Sequence, residues 1–339
     1  MRALPRYLLS LLVGCAYASS TFTNPLLPAG PDPWVTFDNG FYYYTNTTGS
    51  NITLWKTRDI TDLAHAEKKV VFTPPPTGPY SHQLWAPELH KVKGTWYIYF
   101  TADAGTNESH RLWVLKDNAT DPFSNDWKIL GPVKGVQKHW SIDPTVFEDR
   151  GKYYIVWSGW AGDVDGEQDL YIGRLKTPDA IKGKRVLISK PQLPWELYGG
   201  KVKVNEGPEM LEHDSKLFLV YSASGCWTDH YALGMLMASA NSNLLKPSSW
   251  RKVDHPVLSS SAAAHAFGTG HNTFFKSPDG TQDSILYHAN PEPEEGCGGH
   301  RSPRAQPFTW GADGMPEFGP PVPLNEPMPK PSGTPDPPA

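Results

Sequence analysis

At 339 residues the chain is long enough for two average domains or for one closed all-β fold, and long enough to bury most of the surface its unfolded form exposes. Its net charge of −4 excludes the basic footprint of a nucleic-acid binder and a basic membrane-surface patch, so a neutral or small polar ligand suits it better. Aromatic residues make up 12% of the chain, with 13 tryptophans; most of these suit strands, and an excess can line a sugar site, where a flat ring meets a C–H face.

The first element in chain order is a targeting segment. Arg2 and Arg6 flank the start of an apolar run over residues 7–17, and Ala16-Tyr17-Ala18 has the small-x-small form of a signal peptidase site. Residues 1–18 are therefore expected to be a signal peptide, with a secreted mature protein starting near Ser19. No later stretch approaches the 18 or so apolar residues that a membrane-spanning helix needs. Four N-x-S/T triplets, at Asn46, Asn51, Asn107 and Asn118, fit the secretory route. Cys15 leaves with the signal, and whether Cys226 and Cys297 pair is open at this level.

Five copies of one pattern follow. A short polar or acidic head leads into an aromatic-rich hairpin: PDPWVTFDNGFYYYTN from Pro31, WAPELHKVKGTWYIYFTA from Trp85, IDPTVFEDRGKYYIVWSG from Ile142, NEGPEMLEHDSKLFLVYSAS from Asn205 and GHNTFFKSPDGTQDSILYHAN from Gly270. The heads Asp32, Ala86, Asp143, Glu206 and His271 recur every 54 to 65 residues. A strand-built repeat of that size indicates a β-propeller whose blades share a centre. Turn pairs such as Asn39-Gly40, Lys93-Gly94 and Arg150-Gly151 predict hairpins whose second strands cover 41–45, 96–101, 153–158, 217–222 and 285–289. Helical periodicity is confined to a turn or two at 60–66 and 241–245. The proline-rich segment 320–339 reads as an extended, poorly ordered tail after a single domain over 19–319.

Residues at one position of each repeat converge at one end of a propeller's axis. In this reading Asp32, Asp143 and Glu206 occupy equivalent places, and three crowded carboxyls suggest glycoside hydrolysis, which needs one protonated and one ionised. An Asp-Pro usually starts a turn, and Asp121-Pro122, out of register, is taken as one. Glu209 and Glu212 are read as strand-face or solvated carboxylates. Glu88 divides between bracing neighbouring strands and touching substrate. Trp34 and Trp85, beside or within two heads, are candidate walls of a sugar pocket or else core packing. No zinc-type Cys/His cluster, HExxH or P-loop is present, and Gly268-Thr269-Gly270 is not a dinucleotide fingerprint.

The ordered motifs DPW, WAPEL, IDP, NEGP and GTGH resemble glycoside hydrolase family 43 along the chain up to about Phe318. The resemblance implies an all-β, five-bladed propeller and an inverting hydrolase of arabinose- or xylose-containing polysaccharides that needs no cofactor for its chemistry. It implies Asp32 as general base, Glu206 as general acid and Asp143 as the group that tunes and orients the acid. His271 matches a histidine associated with an axial calcium ion or water cluster, and Arg304, in RAQPFTW, an arginine that reaches into the site, with Arg301 the decoy three residues earlier. The segments SGCWTDHYALGML and GCGGHRSPRAQPFTW are similar to the branch with exo-acting arabinofuranosidases and exo-arabinanases. The expected partner is an arabinose-containing plant polysaccharide or oligosaccharide met by a secreted monomer. β-Xylosidase or arabinoxylan debranching, and glycan binding without cleavage, are the alternatives.

Overall fold

The computed structural model describes residues 20 to 335, so the expected signal peptide lies outside the described residues. The fold is all-β. Strands fall into five successive groups along the chain. Trp34–Asp38, Phe41–Thr45, Ile52–Thr57 and Glu67–Phe72 form the first, and His82–Val92, Thr95–Asp103, Arg111–Asp117 and Lys128–Pro132 the second. Ser141–Asp149, Lys152–Trp160, Glu167–Thr177 and Val186–Ser189 form the third. Lys203–His213, Lys216–Ala223, Ala232–Ser239 and Arg251–Lys252 form the fourth, and Phe267–Lys276, Asp283–Asn290, Ser302–Trp310 and Pro316–Glu317 the fifth. A short parallel pairing, Glu167 with Lys203 and Gln168 with Val204, joins the third group to the fourth.

Two-residue turns set the hairpins. Asn39-Gly40, Lys93-Gly94, Arg150-Gly151 and Asp214-Ser215 all carry positive φ at both positions. Their twist matches that of the flanking strands, so the turns fix the register that points each apolar set inward. The leading strand of each group lies beside that of the next, and the fifth lies beside the first. Apolar cores fill the spaces between groups: Leu54 and Trp96 belong to the core shared by the first and second, Tyr99 and Trp157 to that of the second and third. Others join the third to the fourth, the fourth to the fifth and the fifth to the first.

The seam between the last group and the first is sealed by both ends of the described chain. Thr21–Phe22 pairs with Met328–Pro329, and Phe22, Leu26 and Met328 pack against Tyr42, Phe275 and Leu286. This corrects the expectation of a poorly ordered tail from residue 320. The segment is extended, as its prolines require, but Met328 anchors it, Lys330 Nζ lies 2.6 Å from Asp59 Oδ2, and Ser332 N donates to Gln282 Oε1 at 2.9 Å. Three buried residues, Pro321, Met328 and Pro331, and edge hydrogen bonds hold a segment that composition alone reads as solvent-borne. Residues 336–339 lie outside the described part.

Among the four sequons, Asn107 and Asn118 are exposed, whereas Asn46 is buried with its Nδ2 donating to Thr47 O at 3.2 Å. Cys226 and Cys297 form a disulfide with Cα atoms 5.3 Å apart. No helix among the described residues is long and apolar enough to cross a membrane.

Candidate active site

Each head is a backbone device before it is a chemical one. Asp32, Ala86, Asp143, Gly207 and His271 all adopt the left-handed conformation, with φ between 42° and 55°. For a residue with a Cβ this conformation costs about 1–3 kcal/mol, so the surroundings must enforce it. They do so through one repeated contact. The head N–H donates to a side chain of the preceding group: Asp32 to His288 Nδ1 (3.0 Å), Ala86 to Thr47 Oγ1 (2.7 Å), Asp143 to Thr101 Oγ1 (3.1 Å) and His271 to Ser222 Oγ (2.7 Å). In the fourth group Gly207 N donates instead to Asp143 Oδ2 at 3.0 Å.

The register corrects one expectation. Beyond the bulge Glu206 pairs with Ser222, as Ile142 pairs with Ser158 and Trp85 with Thr101. Glu206 therefore stands one residue before the position shared by Asp32 and Asp143, which Gly207 fills. Extra backbone at each bulge lets this offset residue still face the cavity. Asp32, Asp143 and Glu206 all line one cleft of about 490 Å³.

Their surroundings drive the three carboxyls apart. Burial alone would raise the Asp32 pKa, but Arg301 Nη1 at 2.8 Å from its Oδ1, with His271 and His288 nearby, outweighs burial and holds it well below the carboxylate range. Glu206 is pushed up to about 7, by burial first and by the Asp32 charge; the Tyr231 hydroxyl, donating to its Oε1 at 2.9 Å, and Arg301 pull the other way. Asp143 is raised well above its usual range by burial and then by Glu206 and Asp32, against the Gly207 N–H it accepts. At neutral pH an ionised Asp32 thus faces a pair that retains a proton. Burial also lowers the pKa of His271 and of His288, whose Nδ1 accepts the Asp32 N–H and so leaves the ring proton on Nε2.

The cleft has two unlike walls. On one side Trp85 stacks on His110 with centroids 4.1 Å apart, His110 meets Trp140 edge-on, and Trp140 stacks on Trp160 at 4.8 Å and 9°. On the other stand Trp227, the Cys226–Cys297 cross-link and Arg301.

Two expected substrate contacts lie elsewhere. Arg304 is fully buried and donates to Ala264 O and Asn290 O, whereas Arg301 reaches Asp32. The strand begins at Ser302 and rises about 3.3 Å per residue, so three positions carry Arg304 roughly 10 Å down the core. The Gly30 N–H donates to Arg301 O, which seats that residue over the Asp32 turn. Trp34 is also core, packed among Leu54, Leu84 and Trp96 and 4.9 Å from the His90 ring. It stands two residues past its head, in register with Glu88, Thr145, Glu209 and Thr273.

Of the two readings of Glu209, strand-face or solvated, that second layer leaves the strand-face one. Thr145 Oγ1 donates to Glu209 Oε2 at 2.9 Å, His90 Nε2 lies 2.7 Å from Glu88 Oε2, and burial raises both carboxyls well above their usual range. Glu88 braces strands and does not line the cleft, while Glu212 is exposed.

His271 lines the cleft with Nδ1 3.4 Å from Asp32 Oδ1. Calcium takes six to eight oxygen ligands. The side chains here do not fit that demand, since the adjacent carboxylate is engaged by Arg301, and no cluster of three or more His, Cys, Asp or Glu among the described residues is arranged to hold a metal.

A base held ionised and an acid held protonated across an aromatic cleft are the equipment of a glycoside hydrolase. Residues 22–316 match the family described as glycosyl hydrolases family 43, and the chain belongs to that family. It is 37% identical over 91% of its length to an extracellular exo-α-(1→5)-L-arabinofuranosidase of Streptomyces avermitilis, and 35% identical over 83% of its length to one of Streptomyces chartreusis. The matched region spans 65% of the first relative and 87% of the second. Among solved structures, an α-L-arabinofuranosidase from Lactobacillus brevis superposes with a TM-score of 0.84 at 33% identity, covering 90% of this chain and 98% of that one.

Proposed function

We propose that the chain is a five-bladed β-propeller acting as a secreted, monomeric, inverting glycoside hydrolase that releases α-L-arabinofuranosyl units from arabinan. The five strand groups and the closed ring of leading strands support the architecture. The names of the relatives support the sugar and the extracellular setting.

The observation that carries the chemistry is the opposed protonation of Asp32 and Glu206 in one cleft. Asp32 takes a proton from water as the water oxygen bonds to the anomeric carbon. The glycosidic C–O bond breaks, and the Glu206 proton passes to the departing oxygen. Asp143, fixed by the Gly207 N–H beside Glu206, tunes the acid as the second member of the pair that retains a proton and orients it. A direct displacement by water requires carboxyls roughly 6.5–9.5 Å apart.

A product profile on linear arabinan beside arabinoxylan and xylo-oligosaccharides tests this reading. Arabinose or a short arabino-oligosaccharide from arabinan is the expected result; release of xylose with arabinan left intact contradicts the assignment of sugar.

A further inference from the structure

Trp227 is the one tryptophan among the exposed large apolar side chains of the described residues, at 45% exposure, and it faces the cleft. A single exposed apolar side chain is ordinary on a protein surface, but Trp227 lines the cleft that also holds Glu206. It is held rigidly. Its ring lies so close over Gly225 that a Cβ there would come within 2.4 Å of it, and Gly199, at φ +125°, would bring a Cβ to 3.0 Å. Its Nε1 donates to Gly199 O at 3.1 Å, so the polar edge is satisfied by the protein and the apolar face is left to the cavity. The preceding residue, Cys226, is bonded to Cys297 on the loop that leads to Arg301.

The same loop fixes the side of the cleft. Tyr231, four residues beyond Trp227, donates its hydroxyl to Glu206. In the functional reading above Glu206 protonates the departing oxygen, so the leaving-group sugar sits on this side. We propose that Trp227 is the platform on which the leaving-group sugar of an arabino-oligosaccharide stacks, and that the Cys226–Cys297 cross-link and the glycine cradle hold it ready. Prior ordering of the indole removes part of the entropy cost of binding a flexible furanoside chain. The opposite wall offers rings already engaged with one another, Trp140 with Trp160 and Trp85 with His110. Trp227 alone rests on backbone.

The inference rests on Glu206 as the acid, and the test separates the two. The readout is the ratio of kcat/KM for arabinotriose to kcat/KM for methyl α-L-arabinofuranoside, whose leaving group has no ring. Trp227→Ala is expected to lower that ratio about tenfold, mainly through KM for the oligosaccharide. Trp227→Leu, which keeps bulk without a flat face, should lower it likewise, and Trp227→Phe should recover most of it. A ratio unchanged in both the Ala and the Leu variant overturns the platform, as does an equal loss on both substrates, which marks structural damage alone. Failure of the functional reading looks different: the wild-type protein would hydrolyse neither arabinose substrate.

Discussion

Two layers of carboxyls sit on the leading strands, one turn of the pleat apart, and they behave in opposite ways. The upper layer, Asp32, Asp143 and Glu206, opens on the cleft; the lower, Glu88 and Glu209, is closed by Trp34, Thr145 and His90. Burial raises the proton affinity of all five groups. What separates the layers is one cation. Arg301 reaches Asp32 and nothing comparable reaches Glu88 or Glu209, so only the upper layer splits into an ionised and a protonated member. Burial alone yields neutral structural acids, and an acid–base pair needs burial plus a placed charge.

Removing the split should have the largest effect. Asp32→Asn or Glu206→Gln is expected to lower kcat by about 10²–10⁴-fold while arabino-oligosaccharide binding, measured calorimetrically, persists. Wild-type activity in both variants would remove the assigned roles. Next comes the cross-link: Cys226→Ser with Cys297→Ser frees a chain separation of 71 residues and should cost about 4 kcal/mol in denaturant unfolding on chain-entropy grounds.

The arginines sharpen the comparison further. Arg301→Met leaves burial unopposed by its nearest cation, so Asp32 should titrate higher. The acid limb of kcat/KM against pH should then move to higher pH. The alkaline limb, set near 7 by Glu206, should move the same way by less, since Arg301 lowers the Glu206 pKa only as the weakest of its neighbours. Arg304→Met should leave both limbs in place and act on the melting temperature alone. A pH shift from Arg304→Met would reverse the two assignments.

The smallest effect is expected in the lower layer. Glu209→Gln replaces a protonated acid by an amide of the same shape and should cost less than about 1 kcal/mol near pH 5. The sign of its pH dependence is fixed. The folded-state pKa of Glu209 lies above the unfolded value, so the wild-type protein loses stability as pH rises between the two, and the variant escapes that loss. Unfolding curves at pH 5 and pH 8 measure it.

The sequence made the hairpins legible because two-residue turns with Gly or Asn/Asp admit few backbone solutions, and those turns set the register that exposes Asp32 and Asp143. It did not reveal the bulge that puts Gly207, rather than Glu206, at the head position, because an unpaired residue leaves no mark on hydrophobic alternation. Arg301 and Arg304 have the same chemistry three residues apart, and only the start of the strand at Ser302 tells them apart. Trp34 and Glu209 lie at one depth in different strands, a relation that local reading cannot see. Trp227 has no local signal except its neighbour Cys226, since the glycines that cradle it include Gly199 from a distant segment.

The most direct test of the acid–base split is the anomeric configuration of the first sugar released from an α-L-arabinofuranoside, followed by NMR before mutarotation. Direct attack by water under Asp32, with Glu206 as acid, predicts the inverted β-anomer. First appearance of the α-anomer would mean a covalent intermediate and contradict the roles given to both residues.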